Sequence, residues 1–317
     1  MTRALRVETF GGGTWLTDFS VLTGLPTRSF GHMRNFVAQF MTGRIRHSLP
    51  QYLKACGYET VMVYPTNADF AGVKRLYTAI GFDRVIDSRI HRAANGRQRD
   101  AFYLGQAADV LEAIPADDAM GAPEQRRPRF VVISTMAAHS PWDFRFAPDA
   151  LRPGETLRWN KDAEIDEYLW RLILAKRDRD AFRARLARNL PGQRILFVDY
   201  GDHQPALARM PLEEATRIAN EGSFWQLDPA SKAFSTYYAI AAQGFVPSLP
   251  APGQVALEAA HLPTVIVEAA GLPLDPVFSK RVRLMQHCRG LYASCADRAA
   301  VLTFQRWLTD AGWVSQR

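Results

Sequence analysis

Three short stretches of this sequence carry groups able to perform ester chemistry. The first is Gly11-Gly12-Gly13-Thr14. Glycines let a backbone approach a ligand closely, and a hydroxyl at a helix start lies beside N–H groups that stabilise negative charge. Thr14 could therefore attack a phosphorus while amides hold its oxygens. A plain strand-to-helix turn with Thr14 as N-cap accounts for the same residues. The second is Tyr200-Gly201-Asp202-His203-Gln204-Pro205, directly after the apolar run Ile195 to Val198. A carboxylate beside an imidazole offers the oxygen and nitrogen ligands that zinc or manganese accepts, and Gly201 permits the tight turn that aims both inward. A turn aspartate with a surface histidine is the alternative. The third is His139, in Ser134-Thr135-Met136-Ala137-Ala138-His139-Ser140-Pro141-Trp142, past another apolar run. A structural histidine competes with a functional one there.

These stretches must be positioned by the elements that precede them. Apolar runs alternate with amphipathic stretches along the chain, the pattern of strands and helices sharing a mostly parallel central sheet flanked by helices on both faces. In such α/β folds ligands bind beyond the carboxyl ends of the strands, where all three stretches fall. Expected strands are Leu5 to Phe10, Glu59 to Tyr64, Val85-Ile86, Phe130 to Ile133 as a buried parallel strand, Arg194 to Tyr200, and a strand or hairpin near Phe234 to Ala242. Expected helices are Thr14 to Thr23, Ser48 to Cys56 ending at Gly57, Ala71 to Ile80 closed by Gly81, Gln98 to Ala113, and Asp162 to Leu190 stopped by Pro191-Gly192. Three more lie near Val255 to Ala270, Pro276 to Cys288 and Ala299 to Ala311, in a smaller C-terminal subregion. Ala116 to Arg129 and Pro211 to Pro229 read as connections rich in turn formers.

At 317 residues and 47% hydrophobic content the chain can bury a continuous core. The net charge of +7 favours anionic partners. No aromatic-interleaved basic stripe or zinc-knuckle spacing supports nucleic-acid binding, and Lys176 to Arg188, where Asp178 and Asp180 interrupt the cations, reads as a solvated helix face. Cys56, Cys288 and Cys295 form no zinc pattern or disulfide framework; a single Cys288–Cys295 bridge in an oxidising compartment is a matter of geometry. No apolar run reaches membrane-span length.

Taken in order, Gly11 to Gly24, Leu49 to Asp87, Met136 to Trp142 and Tyr200 to Pro205 resemble the sulfatase-like catalytic domains of lipoteichoic acid synthases and of phosphoglycerol and phosphoethanolamine transferases, in the alkaline phosphatase/sulfatase superfamily. The resemblance implies one sulfatase-like catalytic domain over residues 1–317. It implies a metal-dependent phosphoryl-group transferase acting on phospholipid headgroup or glycan phosphodiesters. Thr14 would be the nucleophile and a ligand, with Asp202 and His203, of one divalent metal (Mn, Zn or Mg); His139 and Asn67 would contact substrate. Alternatives are a phosphodiesterase or sulfatase-type hydrolase, or an impaired relic binding anionic glycan or lipid headgroups. The sulfatase C/S-x-P-x-R stretch is absent. The family's first strand, ending in an acidic metal ligand ahead of the nucleophile, is expected to be missing here, with Glu8 no substitute. Where lipoteichoic acid synthases place His, this chain has Tyr64-Pro65 before Thr66-Asn67-Ala68-Asp69. The family implies an extracytoplasmic location, periplasmic or on the outer face of the inner membrane, with membrane association through segments absent from these residues.

Overall fold

The computed structural model describes residues 1–92, 98–113, 127–152, 154–155, 158–208, 231–249 and 256–315. Within them the fold is mixed α/β, divided into two units: Met1–Tyr52 with Gly192–Arg317, and Leu53–Pro191. Four of the six strand ladders are parallel. They form three sheets.

In the first unit, β1 (Thr2–Arg6) and β2 (Thr9–Phe10) divide what reads in sequence as one strand. The break has a cause in hydrogen bonding. Val7 N–H leaves the ladder for the Phe234 carbonyl (2.8 Å) and Glu8 N–H donates to Thr17 Oγ1 (3.2 Å), so neither amide continues the pairing. β8 (Ser235–Gln243) lies between β1 and β6 (Ile195–Tyr200), antiparallel to both, and β9 (Leu257–Glu258) pairs parallel with the other side of β1. The expected buried strand Arg194 to Tyr200 is thus a half-buried edge strand with an antiparallel neighbour. β2 pairs separately and in parallel with β7 (His203–Gln204), Thr9 opposite His203.

Helix α1 (Thr14–Thr23) is buried over eight of its ten residues. Leu16, Phe19, Val21 and Leu22 go into the core, each contributing roughly 1.5–3 kcal/mol by removal from water. Its buried polar groups are satisfied: Ser20 Oγ donates to Glu8 Oε1 (2.8 Å) and Thr23 Oγ1 to the Phe19 carbonyl (2.6 Å). Gly24, left-handed at φ 67°, caps it with an N–H to the Ser20 carbonyl. The 3-10 segment Thr27–Phe36 and the short α2 (Val37–Phe40) that follow give no sequence signal of comparable clarity. α3 (Leu49–Ala55) contains the unit boundary.

The rest of the first unit holds α8 (Leu262–Ala269), α9 (Pro276–His287) and α10 (Arg298–Asp310). The helix expected from Val255 starts late, because β9 and a 3-10 turn over Ala259–His261 take its first residues; Pro263 then sits in the first turn, where its missing N–H costs nothing. Cys288 and Cys295 form the disulfide that sequence left to geometry. With a separation of seven residues, the loop-entropy model gives about 2–3 kcal/mol. Reduction, or Cys288→Ser with Cys295→Ser, should therefore lower the denaturant midpoint measurably; an unchanged midpoint would mean that the bridge stabilises nothing.

α9 sends buried Arg281 against the C-terminus of α1, its Nη2 donating to the Thr23 carbonyl (2.5 Å). Burial lowers its pKa to about 10, so it stays charged at neutral pH. A Cβ on Gly24 would collide with this guanidinium, at a backbone conformation that L side chains avoid. Gly24→Ala should cost about 1–3 kcal/mol, read as a lowered urea midpoint, because it strains a left-handed position and displaces a buried guanidinium. A loss below 1 kcal/mol would refute this packing.

The second unit is built on β4 (Arg84–Ile86), β3 (Glu59–Val63) and β5 (Arg129–Ile133), all parallel, with Val61 opposite both Arg84 and Val131. Val61, Met62 and Val63 of the central strand are fully buried. β5, expected to be buried, is half-buried as an edge strand of this sheet. Its helices are α4 (Val73–Ala79), α5 (Ser88–His91), α6 (Asp100–Glu112) and α7 (Ala163–Asn189). The solvated-face reading of Lys176 to Arg188 holds for the exposed Lys176–Asp180 pair. It fails for Asp178, which is buried against Arg99 (2.7 Å), and for Arg185, which bridges to Asp109 and Glu112 of α6 (2.7 Å each). Pro211 to Pro229 and nearly all of Ala116 to Arg129 lie outside the described residues.

Candidate active site

Two turns meet in the first unit. Gly11, Gly12 and Gly13 all have positive φ (71°, 149° and 82°), which explains why three consecutive glycines join β2 to α1. Thr9 Oγ1 braces the turn through the Gly12 carbonyl (2.7 Å). Space around a Cβ on Gly12 is open, so this residue presents backbone rather than packing. The N-cap of α1 is Gly13, in the left-handed region, and not Thr14, which is the first helical residue. This corrects the capping alternative for Thr14. No described residue hydrogen-bonds its hydroxyl, and no acidic side chain occupies the first turn of α1 to cancel the helix dipole.

The second turn, Gly201 to Gln204, lies beside the first. Gly11 N–H donates to the Gln204 carbonyl (2.9 Å), extending the β2–β7 ladder. Thr17, one turn after Thr14, donates its hydroxyl to the Asp202 carbonyl (2.7 Å) while accepting from Glu8 N–H. From the other side, Thr236 Oγ1 donates to the Gly201 carbonyl (2.6 Å) and Gln204 Nε2 to the Ser235 carbonyl (2.6 Å). A Cβ on Gly201 would come within 3.1 Å of Thr236 Cβ, a tight contact that the glycine avoids. Tyr200 at the end of β6 donates to Asp18 Oδ1 of α1 (2.8 Å). Burial, then the adjacent Asp18 carboxylate, hold this phenol well above its usual pKa, so it remains a donor.

Within the turn, His203 Nε2 lies 3.3 Å from Asp202 Oδ2. His203 Nδ1 faces the Gln204 carbonyl at 2.9 Å, which only a protonated Nδ1 can satisfy. The ring nitrogen and the carboxylate oxygen lie side by side as one nitrogen and one oxygen donor; an imidazole whose second nitrogen is fixed by a carbonyl is the usual form of a ligating histidine. The pair therefore fits two positions of a divalent metal site. Among the described residues no group of three or more His, Cys, Asp or Glu side chains gathers around an ion position. Glu8 does not join it: its carboxylate accepts from Ser20 Oγ (2.8 Å) and Thr27 Oγ1 (2.6 Å) in the core, where burial raises its pKa.

His139 and Asn67 belong to the second unit. His139 is exposed, with Nδ1 donating to the Ser140 carbonyl (2.8 Å). Asn67 is exposed in the loop after β3, where its Oδ1 accepts Asp69 N–H (2.9 Å). Tyr64, at the position where the resemblance leads one to expect His, is buried, and its carbonyl faces His91 Nε2 (2.9 Å). The groups around His139 that sequence reasoning missed are charged and buried. Asp100, raised in pKa by burial, accepts Met136 and Ala137 N–H (3.2 and 2.9 Å), and Glu167 pairs with Arg171 (2.7 Å). The one available signal was the Glu167–Arg171 spacing of four along α7.

The chain belongs to the Sulfatase family, whose model matches residues 5–225. It is 26% identical over 151 residues to an uncharacterized protein of Haemophilus influenzae, covering 44% of this chain and 26% of that one. Among solved structures it superimposes on the phosphoglycerol transferase GacH of Streptococcus pyogenes, in complex with sn-glycerol-1-phosphate, with a TM-score of 0.68 at 16% identity, over 99% of this chain and 75% of that one. The lipoteichoic acid synthase LtaP of Listeria monocytogenes gives 0.63 at 18% identity, over 86% and 64% respectively. The chain thus spans about a quarter of the curated relative and under two thirds of LtaP.

Proposed function

We propose that this protein is a metal-dependent phosphoryl-group transferase that moves a phospholipid headgroup or glycan phosphodiester through Thr14. The observation that carries this reading is the 2.7 Å bond from Thr17 to Asp202, which ties the first turn of the Thr14 helix to the Asp202-His203 pair. GacH and LtaP, a phosphoglycerol transferase and a lipoteichoic acid synthase, support the choice of substrate class.

Asp202 and His203 would hold one divalent ion (Mn, Zn or Mg), with Thr14 as a further ligand; when bound, the ion supplies positive charge that favours the threonine alkoxide. Thr14 Oγ gives up its proton and attacks phosphorus, the bond from phosphorus to the lipid oxygen breaks, and that oxygen takes up a proton as it leaves. The headgroup is then esterified to Thr14. An acceptor hydroxyl displaces it, loses its proton, and restores Thr14. The helix dipole at α1 and the backbone of Gly12 and Gly13 stabilise charge on the phosphoryl oxygens. His139 and Asn67 are assigned to substrate by the family resemblance.

Sites of this kind act outside the cytoplasm in the resembling families, and the Cys288–Cys295 bridge supports such a location for this chain. No described helix is long and apolar enough to cross a membrane. The test is mass spectrometry of the Thr14 peptide after incubation of manganese-loaded protein with phosphatidylglycerol or phosphatidylethanolamine vesicles. A glycerophosphoryl or phosphoethanolamine ester on Thr14 is expected; metal-replete protein that forms neither adduct would overturn the proposal.

A further inference from the structure

We infer that Arg171 is the positioning residue for His139; the inference deepens the preceding reading and rests on it only for the substrate role of that histidine. Arg171 projects from α7 and is 2% exposed. Its Nε donates to Glu167 Oε1 (2.7 Å), Nη1 to the His139 carbonyl (2.8 Å) and Nη2 to the Phe144 carbonyl (3.2 Å). Rings of Phe144 and Phe146 cover the guanidinium, with centroids 4.7 and 5.2 Å from Cζ. Glu167 Oε1 also accepts Phe146 N–H (2.8 Å). The exposed Arg145 lies 3.1 Å from Glu167 Oε2, and the buried Glu167–Arg171 pair on one turn of α7 ties residues 139, 144 and 146.

Burying an ion pair carries a large desolvation cost, and its attested benefit is to select one arrangement among several. Here that arrangement is a loop whose start is fixed by Asp100 through Met136 and Ala137. The His139 main chain is pinned from both sides while its ring stays exposed, with Nδ1 on the Ser140 carbonyl. Nε2 is left as the acceptor, and His139 lines a concavity with Met136, Pro141, Phe144, Phe146 and Arg171. A planar fork can span two carbonyls five residues apart while stacking between rings; a lysine ammonium cannot do both.

The experiment is imidazole carbon and nitrogen NMR of wild type, Arg171→Lys and Glu167→Gln/Arg171→Met, the last leaving no buried charge unpaired. The His139 signal is identified by its loss in His139→Gln among the seven histidines. Wild type should show the Nδ1–H tautomer alone. The double variant should show a mixture of both tautomers, with Arg171→Lys intermediate. With bis(p-nitrophenyl) phosphate as substrate, KM should rise about tenfold in the double variant while kcat changes less than threefold, the pattern of a lost binding contact. A folded double variant that keeps the single tautomer would overturn the inference, whatever its kinetics. Loss of the tautomer with an unmoved KM would uphold Arg171 as the positioning residue and remove His139 from substrate contact.

Discussion

Thr14→Ala should reduce turnover of bis(p-nitrophenyl) phosphate roughly 10³-fold or more, the loss expected when a nucleophile is deleted from an otherwise intact site. The melting temperature should stay within a few degrees of wild type. Both expectations follow from one placement. The Thr14 hydroxyl has no hydrogen-bond partner among the described residues, and the capping role it was open to in sequence is taken by Gly13. A methyl at the first helical position is well tolerated, since alanine is the best helix former. Thr14→Ser, which keeps an oxygen, should recover part of the rate and form the same ester. Thr14→Ala protein within tenfold of wild-type turnover would exclude the hydroxyl as nucleophile. A large fall in melting temperature would instead give it the structural role denied above.

The parts of the fold that sequence made legible are those ruled by local chemistry. α1 runs from Thr14 to Thr23 as read, because glycines on both sides supply left-handed conformations that end regular structure. α7 stops before Pro191-Gly192 for a similar reason. Non-local pairing was less legible. Leu5 to Phe10 is apolar enough for one strand, yet it breaks at Val7-Glu8 because bonds to Phe234 and Thr17, far apart in sequence, take those amides. β8 reads as a strand, but its antiparallel direction between β1 and β6 is set by topology that no local pattern records. At the site, Gly-Gly-Gly-Thr and Gly-Asp-His were visible as residue types at strand ends. Their mutual approach depends on the parallel β2–β7 pairing and on the Thr17–Asp202 bond, between residues 185 apart in sequence. Beyond the spacing of Glu167 and Arg171, these two and Asp100 were hard to read because a charged residue on a helix reads as solvated until its partners are known; burial reverses that reading.

Asp202→Asn and His203→Gln should each weaken manganese binding by roughly 10²-fold or more, since each removes one of few ligands. Turnover at limiting metal should fall at least in proportion, and excess manganese should restore Asp202→Asn in part, because the amide keeps an oxygen. Thr17→Val supplies the contrast. It leaves both ligands chemically intact and removes the hydroxyl that joins α1 to the Asp202 carbonyl and accepts the Glu8 N–H. A metal site built by Asp202 and His203 alone would keep its affinity in Thr17→Val, while turnover fell because Thr14 had lost its registry with the ion. A fall in both would mean that the tether also shapes the ligand pair. Isothermal titration with manganese, run beside kinetics on all three variants, separates these outcomes. Asp202→Asn and His203→Gln binding metal as tightly as wild type would remove the pair from the metal site.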